Sequence, residues 1–379
     1  MTAIRHDLHR IRQDLQESLS LDKHPVALLI GAGCPSAVRV MGAGGADEPL
    51  IPAIAGLTSQ ITSALGGDTN FGKLKAQFHD DGRSAFTVED LLSRVRNLAR
   101  IVGKGEARGL DSSALSQLEK ALCKQVVEAV RKALPHTDTA YHHLADWIGG
   151  VPRSRPVQLF TTNYDLLLEQ ALEDRSLPYF DGFVGARRPF FDLRAIEDDL
   201  IPARWSRLWK LHGCLSWALH SDGKITRTYR DDNSGDGLLI HPSELKYDQS
   251  RRMPYLAMID RLKECIRQPS SLLITIGYGY GDDHLNEVVL QGLRSNPTAA
   301  AFGLLYQELA QEPAAETLSK RIPANLNLLA RDRGVLRGVL GEWYVDPSSI
   351  PTTIPLANDL GDFAAFTTFL NSFAFRGSV

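Results

Sequence analysis

Residues 157–165 read VQLFTTNYD, an apolar run of strand length that ends in Thr161, Thr162, Asn163, Tyr164 and Asp165. The helical spacing of Leu166, Leu167, Leu168, Ala171 and Leu172 follows at once. An amide and a carboxylate at the end of a buried strand can orient hydroxyl groups or water and can face developing positive charge, and the next helix begins with free backbone N–H groups. Thr, Asn and Asp also cap helices, which gives one or two of these residues a purely local use. Five polar or amphipathic residues in succession exceed what a single cap requires. His212 has a similar setting, since residues 208–211 read LWKL and run into His212 and Gly213. The ordinary pKa of histidine lies close to working pH, which suits a general base; a satisfied core histidine is the structural alternative.

Two glycine-rich turns share this strand-then-helix context. VALLI at residues 26–30 ends in Gly31, Ala32, Gly33, Cys34, Pro35 and Ser36. SLLITI at residues 271–276 ends in Gly277, Tyr278, Gly279, Tyr280, Gly281, Asp282, Asp283 and His284, and Leu285, Val288, Val289 and Leu293 continue as a helix. Glycine after a buried strand lets a phosphate come close to the backbone, and a tight turn is its other use. The dinucleotide fingerprint of dehydrogenases is not met. Ser36 stands in the third glycine position, and Asp47 and Glu48 arrive early, after MGAGGADEP rather than after an apolar strand.

The elements that must position these turns can be read from periodicity. Ile4, Leu8, Ile11, Leu15 and Leu19 predict an amphipathic helix over residues 3–20. From 51 to 147 the pattern is helical, with helices predicted through Ile54 to Leu65, Val88 to Leu98 and Leu115 to Leu134, and breaks at 66–68 and 103–109. This length exceeds a single crossover, so residues 51–150 are expected to form a helical insertion or subdomain. His142 and His143 lack a matching ligand set and read as surface or packing residues. Residues 181–199, with Arg187 and Arg188, read as irregular, 231–237 as a polar turn and 238–240 as a short strand. A helix through Tyr255, Ile259, Leu262 and Ile266, strands at 301–305 and 326–330, and a closing helix at 363–373 complete the chain. The expected fold is α/β: one domain over residues 1–379, a doubly wound Rossmann-like parallel sheet with a large helical insertion.

The chain has 379 residues, 43% hydrophobic and 23% charged, with a net charge of −3, which suits a globular protein and indicates no nucleic-acid or membrane surface. Cys34, Cys123, Cys214 and Cys265 stand far apart with no CxxC pair, so neither a zinc site nor a disulfide framework is expected. No apolar run approaches a membrane span, and a reduced cytoplasm is the expected location.

As an ordered set, the turns resemble a sirtuin-like NAD-binding domain. Gly31, Ala32 and Gly33 match its opening GAG; residues 161–165 its T-x-N-x-D; His212 and Gly213 its H-G; and Gly277, Tyr278 and Gly279 its ribose-contacting glycine turn. Typical protein-deacylating members carry two CxxC pairs that bind zinc, and this chain has none. Pro35 also stands where serine is usual, no P-x-F-R stretch follows, and Thr162 replaces the common glutamine. The LxKLHGxxxW and GYxxxDD wording is more similar to the sirtuin-like subunits of bacterial antiphage systems. That resemblance implies hydrolysis of NAD as substrate to nicotinamide and ADP-ribose, regulated within a homo-oligomer and often in company with a HerA-type hexameric ATPase. It implies Asn163 and His212 as catalytic residues, with Asp165 stabilising cationic character or holding its motif in shape. Gly31, Ala32, Gly33, Ser36, Thr161, Gly277, Tyr278, Gly279 and Asp282 are the implied NAD-binding residues. A protein deacylase and a non-catalytic sensor of NAD or ADP-ribose are the alternatives.

Overall fold

The computed structural model describes residues 4–220 except 21, 23 and 43, together with 224–227, 237–239, 254–345 and 357–374. Among these, the main sheet contains ten strands. In chain order they are β1 (Arg5–Asp7), β2 (Val26–Ile30), β3 (Gln158–Thr161), β4 (Tyr179–Phe180), β5 (Ser206–Lys210), β6 (Leu272–Ile276), β7 (Ala300–Leu304), β8 (Leu326–Leu329), β9 (Arg333–Leu336) and β10 (Val339–Tyr344). Their spatial order is β1-β10-β9-β8-β7-β6-β2-β3-β5-β4. From β8 across to β4 every pairing is parallel. The hairpin β9–β10 adds two antiparallel pairings at the other side, and β1 closes that edge.

Continuous apolar strands are what a sheet covered on both faces requires. In β2 all five residues are buried: Ala27 and Leu29 enter one core, Val26, Leu28 and Ile30 the other. The first core packs under the helices Tyr255–Arg267 and Asp283–Ser295; the second under Leu8–Ser20, Ala140–Gly150, Leu167–Asp174 and Phe363–Ala374. This is the expected doubly wound arrangement.

Between β2 and β3 run the helices Ile54–Ala64, Thr69–Asp80, Val88–Ile101 and Ser112–Val130. They share a third core, built on residues such as Phe71, Phe78, Leu91, Leu115 and Leu122. Three begin at capping side chains: Asp68 accepts from Phe71 N, Thr87 forms a capping box with Asp90, and Asp111 accepts from Ala114 N. Ala140–Gly150 belongs instead to the second core under the sheet, and there His142 is buried between Thr139 and Asp174.

Several local expectations are corrected. Residues 5–7 are a strand rather than the start of the first helix, because they pair with Glu342, Trp343 and Tyr344, a partner no local periodicity reveals. The helix Thr69–Asp80 went unpredicted, and the long helix ends at Val130, short of Leu134. Residues 181–199 are not irregular: Phe183–Val184 and Phe190–Phe191 join Ile225–Arg227, Gly213–Leu219 and Gly237–Leu239 in a second, antiparallel sheet, and Leu193–Glu197 is a short helix. Strands of two residues are too short to show a period. Of the turn expected at 231–237 and the strand at 238–240, residues 231–236 and 240 lie outside the described residues. No described helix is long and apolar enough to cross a membrane.

Candidate active site

Strand register brings the four turns together. Ile276 pairs with Ile30, Ile30 with Thr161, and Thr161 with Lys210, so β6, β2, β3 and β5 end in one row. Asn163 and His212 each lie two residues beyond this row on adjacent strands. Neighbouring strands are about 4.8 Å apart, so both side chains are displayed at the same sheet edge. The chain leaves β2 toward β3, β5 and β4 and later returns to the other flank of β2 with β6. The carboxyl ends of β2 and β6 therefore form a topological switch point, where open α/β sheets take ligands.

The two glycine turns lie directly on one another. Gly31 N donates to Ile276 O and Gly33 N to Gly277 O, each at 2.9 Å. A Cβ on Gly31 would meet Gly277 O at 2.3 Å, and one on Gly277, whose φ is +62°, would meet Cys34 N at 2.7 Å. The first demand on these glycines is thus contact between backbones. Ala32 remains exposed at the tip, and the Ser36 hydroxyl donates to Gly33 O at 2.6 Å. Gly279 is exposed, with φ +65° and open space where a side chain would stand. Tyr278 turns toward the following helix, its hydroxyl donating to Asp282 O at 3.2 Å and to Asn286 Oδ1 at 3.0 Å.

Thr161 fixes the polar turn: its hydroxyl donates to Ile30 O at 2.8 Å and accepts from Asn163 N at 3.0 Å. Asn163 Nδ2 then donates to Gly31 O at 3.2 Å, tying the second motif to the first. Its other amide atom, Oδ1, is buried and has no hydrogen-bond partner. Tyr164 packs against the second core; burial, then Glu89 and Tyr255, push its hydroxyl pKa well up. Asp165 is buried and takes up the helix start, Oδ1 accepting from Leu167 N at 3.1 Å. Burial raises its carboxyl pKa against the pull of Lys210.

Lys210 and Glu169 are the residues that sequence reasoning missed. Lys210, only 1% exposed, donates to the Asp165 carbonyl and stands 2.9 Å from Glu169 Oε1. Burial pushes the Glu169 carboxyl up to about 7, even beside that ammonium. The signal was a lone lysine inside the apolar LWKL strand, since a buried ammonium demands acceptors. This pair lies beneath the turn that carries Asn163 and clamps it from below.

His212 faces the fourth motif rather than the second. Its Nε2 is 3.1 Å from Asp282 Oδ2, while Asp282 Oδ1 accepts from Leu285 N at 3.0 Å and caps the helix Asp283–Ser295. Nearby, burial lowers the pKa of His284. Among the described residues no group of three His, Cys, Asp or Glu side chains is arranged to hold a metal ion, and all four cysteines are free.

Fold and site together define a doubly wound α/β protein with an amide, an imidazole and two glycine turns converging on its switch point. Residues 157–322 match the family model of the SIR2-like domain, a span that holds every turn except the first. No curated protein matches the sequence. Among solved structures, the chain is similar to one of a Sir2 enzyme studied for mechanism and regulation (12% identity, 81% of this chain and 89% of that chain, TM-score 0.36). It is also similar to a mutant Sir2 homologue bound to ADP-ribose (14%, 80% and 88%, 0.33) and to a Sir2 homologue bound to NAD (15%, 83% and 90%, 0.34).

Proposed function

We propose that this protein is an NAD glycohydrolase, which cleaves the nicotinamide–ribose bond with water to give nicotinamide and ADP-ribose. The observation that carries this reading is Asn163 Oδ1, a buried acceptor left without a partner on an amide whose other end is pinned to the first glycine turn. A buried carbonyl oxygen that lacks a donor is costly, and a ribose hydroxyl or a water supplies one. The SIR2-like match extends over Asn163, His212 and the turn at 277–282, in agreement with this reading.

The chemistry asks for positioning more than for acid catalysis. As the C1′–N bond breaks, its electron pair passes to the cationic nicotinamide ring, which leaves neutral, and positive charge builds on the ribose. Asn163 orients the attacking water or the ribose hydroxyls through Oδ1. His212 accepts the proton that the water or hydroxyl gives up. The turn at 31–33, with Ser36, takes the diphosphate side, and the turn at 277–279 the adenosine side. Asp165 acts from beneath, held by Lys210, and keeps the turn in shape while its field favours the cationic ribose.

Incubation of the purified full chain with NAD, with and without an acetylated peptide, tests the reading by chromatography of the products. Free ADP-ribose without peptide is expected, and Asn163→Ala and His212→Ala should each abolish it while remaining folded. Acetyl-ADP-ribose formed only with peptide would make the protein a deacylase; binding of NAD without cleavage would make it a sensor. A role in antiphage defence through NAD depletion, in a homo-oligomer with a HerA-type ATPase, rests on the resemblance of the motifs. It predicts that NAD falls in infected cells carrying the wild-type gene and stays level with Asn163→Ala.

A further inference from the structure

Asp282 belongs to the glycine turn expected to bind NAD, yet both of its carboxylate oxygens already have neighbours within the protein. Oδ1 caps the helix Asp283–Ser295, and Oδ2 stands 3.1 Å from Nε2 of His212. The backbone around it is fixed as well, since Asp282 O accepts from the Tyr278 hydroxyl and from Asn286 N at 2.8 Å. His212 follows β5, whereas Asp282 follows β6, with β3 and β2 between them in the sheet, so the contact spans the switch point. Both side chains are almost wholly withdrawn from solvent.

We propose that Asp282 is a positioning residue for His212: its carboxylate holds the proton on Nε2 and leaves the Nδ1 lone pair as the base. A carboxylate only accepts hydrogen bonds, so the ring nitrogen that faces it must be the one carrying hydrogen. The other nitrogen is then the only site in the neutral ring that can take a proton. Once it does, Asp282 stabilises the imidazolium across the same contact. Titratable groups in electrostatic reach of Asp282 include Tyr278 and His284; Asp283 acts on Tyr278, and Lys263 on the adjacent helix acts on His284. The assignment rests on His212 being the base of the proposed NAD hydrolysis, and it moves Asp282 from holding the cofactor to orienting the catalytic ring.

Asp282→Asn separates this role from simple capping, because Asn caps a helix about as well as Asp. The experiment uses the full chain with ¹⁵N-labelled histidine, the His212 signals being assigned by their loss in His212→Gln. In the wild type the neutral ring of His212 is expected as the Nε2–H tautomer. In Asp282→Asn it should become a mixture of tautomers, kcat for NAD cleavage should fall roughly 10²-fold, and KM should stay within about threefold. Asp283→Asn, at the same helix start but exposed, should change neither reading. An unchanged tautomer in Asp282→Asn overturns the proposal, as does a rise in KM with kcat preserved, which would return Asp282 to cofactor binding. The tautomer is read without turnover. If the protein cleaves no NAD, that result therefore counts against the hydrolase reading, and the spectrum still decides whether Asp282 governs His212.

Discussion

In the proposed reaction Asn163 serves both structure and chemistry. One amide atom joins two motifs, and the other keeps an acceptor open in a buried position where water has been largely removed. Glu169 makes a separate prediction. Its carboxyl has a folded pKa of about 7 against an ordinary value of 4.5, because burial outweighs the attraction of Lys210. A raised acid contributes stability that is fully present below about pH 4.5 and is lost as pH rises through 7; the shift corresponds to roughly 3 kcal/mol. Glu169→Gln cannot ionise. Denaturation with urea at pH 5 and pH 8 should therefore show a smaller loss of stability on raising the pH in the variant than in the wild type. Equal losses would mean that Lys210 keeps Glu169 ionised throughout.

At the level of elements, the site depends on two turns in backbone contact. A methyl group on Gly31 would drive into the Gly277 carbonyl, with backbone on both sides and no flexible side chain to move away. Gly31→Ala is expected to lower stability by about 1–3 kcal/mol and to abolish NAD cleavage, because Asn163 is anchored on the same Gly31 carbonyl. Asp68→Ala provides the comparison. It removes the cap of Thr69–Asp80, a helix of the third core, and should cost about 1 kcal/mol with turnover unchanged. Thermal melts and steady-state kinetics on the two variants separate damage to the site from damage to the fold.

For the whole molecule, the helices from Ile54 to Val130 form a layer with a core of their own, and Tyr164 of the polar turn packs against the second core within electrostatic reach of Glu89 in that layer. NAD bound at the switch point would contact turns from four strands, so its binding energy should stabilise the sheet as a unit. In His212→Ala, where NAD is expected to persist, NAD at about 100 times its Kd should raise stability by about 2.7 kcal/mol. A thermal-shift titration checks this. An unchanged melting temperature would mean that NAD does not bind the folded chain.

The sequence by itself determined the local units. Strand and turn were legible at residues 26–36, and strand, turn and helix at 157–172 and 271–293, because an apolar run, a break and a 3.6-residue period are all properties of neighbouring residues. The doubly wound class followed from repeating that unit, and the residue types of the site from its turns. What only the tertiary structure decided depends on partners far apart in the chain. Residues 5–7 are a strand because Glu342, Trp343 and Tyr344 lie beside them, and the hairpin of residues 333–344 gave no usable signal by itself. His212 meets Asp282 across 70 residues, Lys210 meets Glu169 across 41, and Gly31 meets Gly277 across 246. A sequence records which groups are present. The pairing register of the sheet selects which of them touch, and here that register brings four separate motifs to one edge of the sheet.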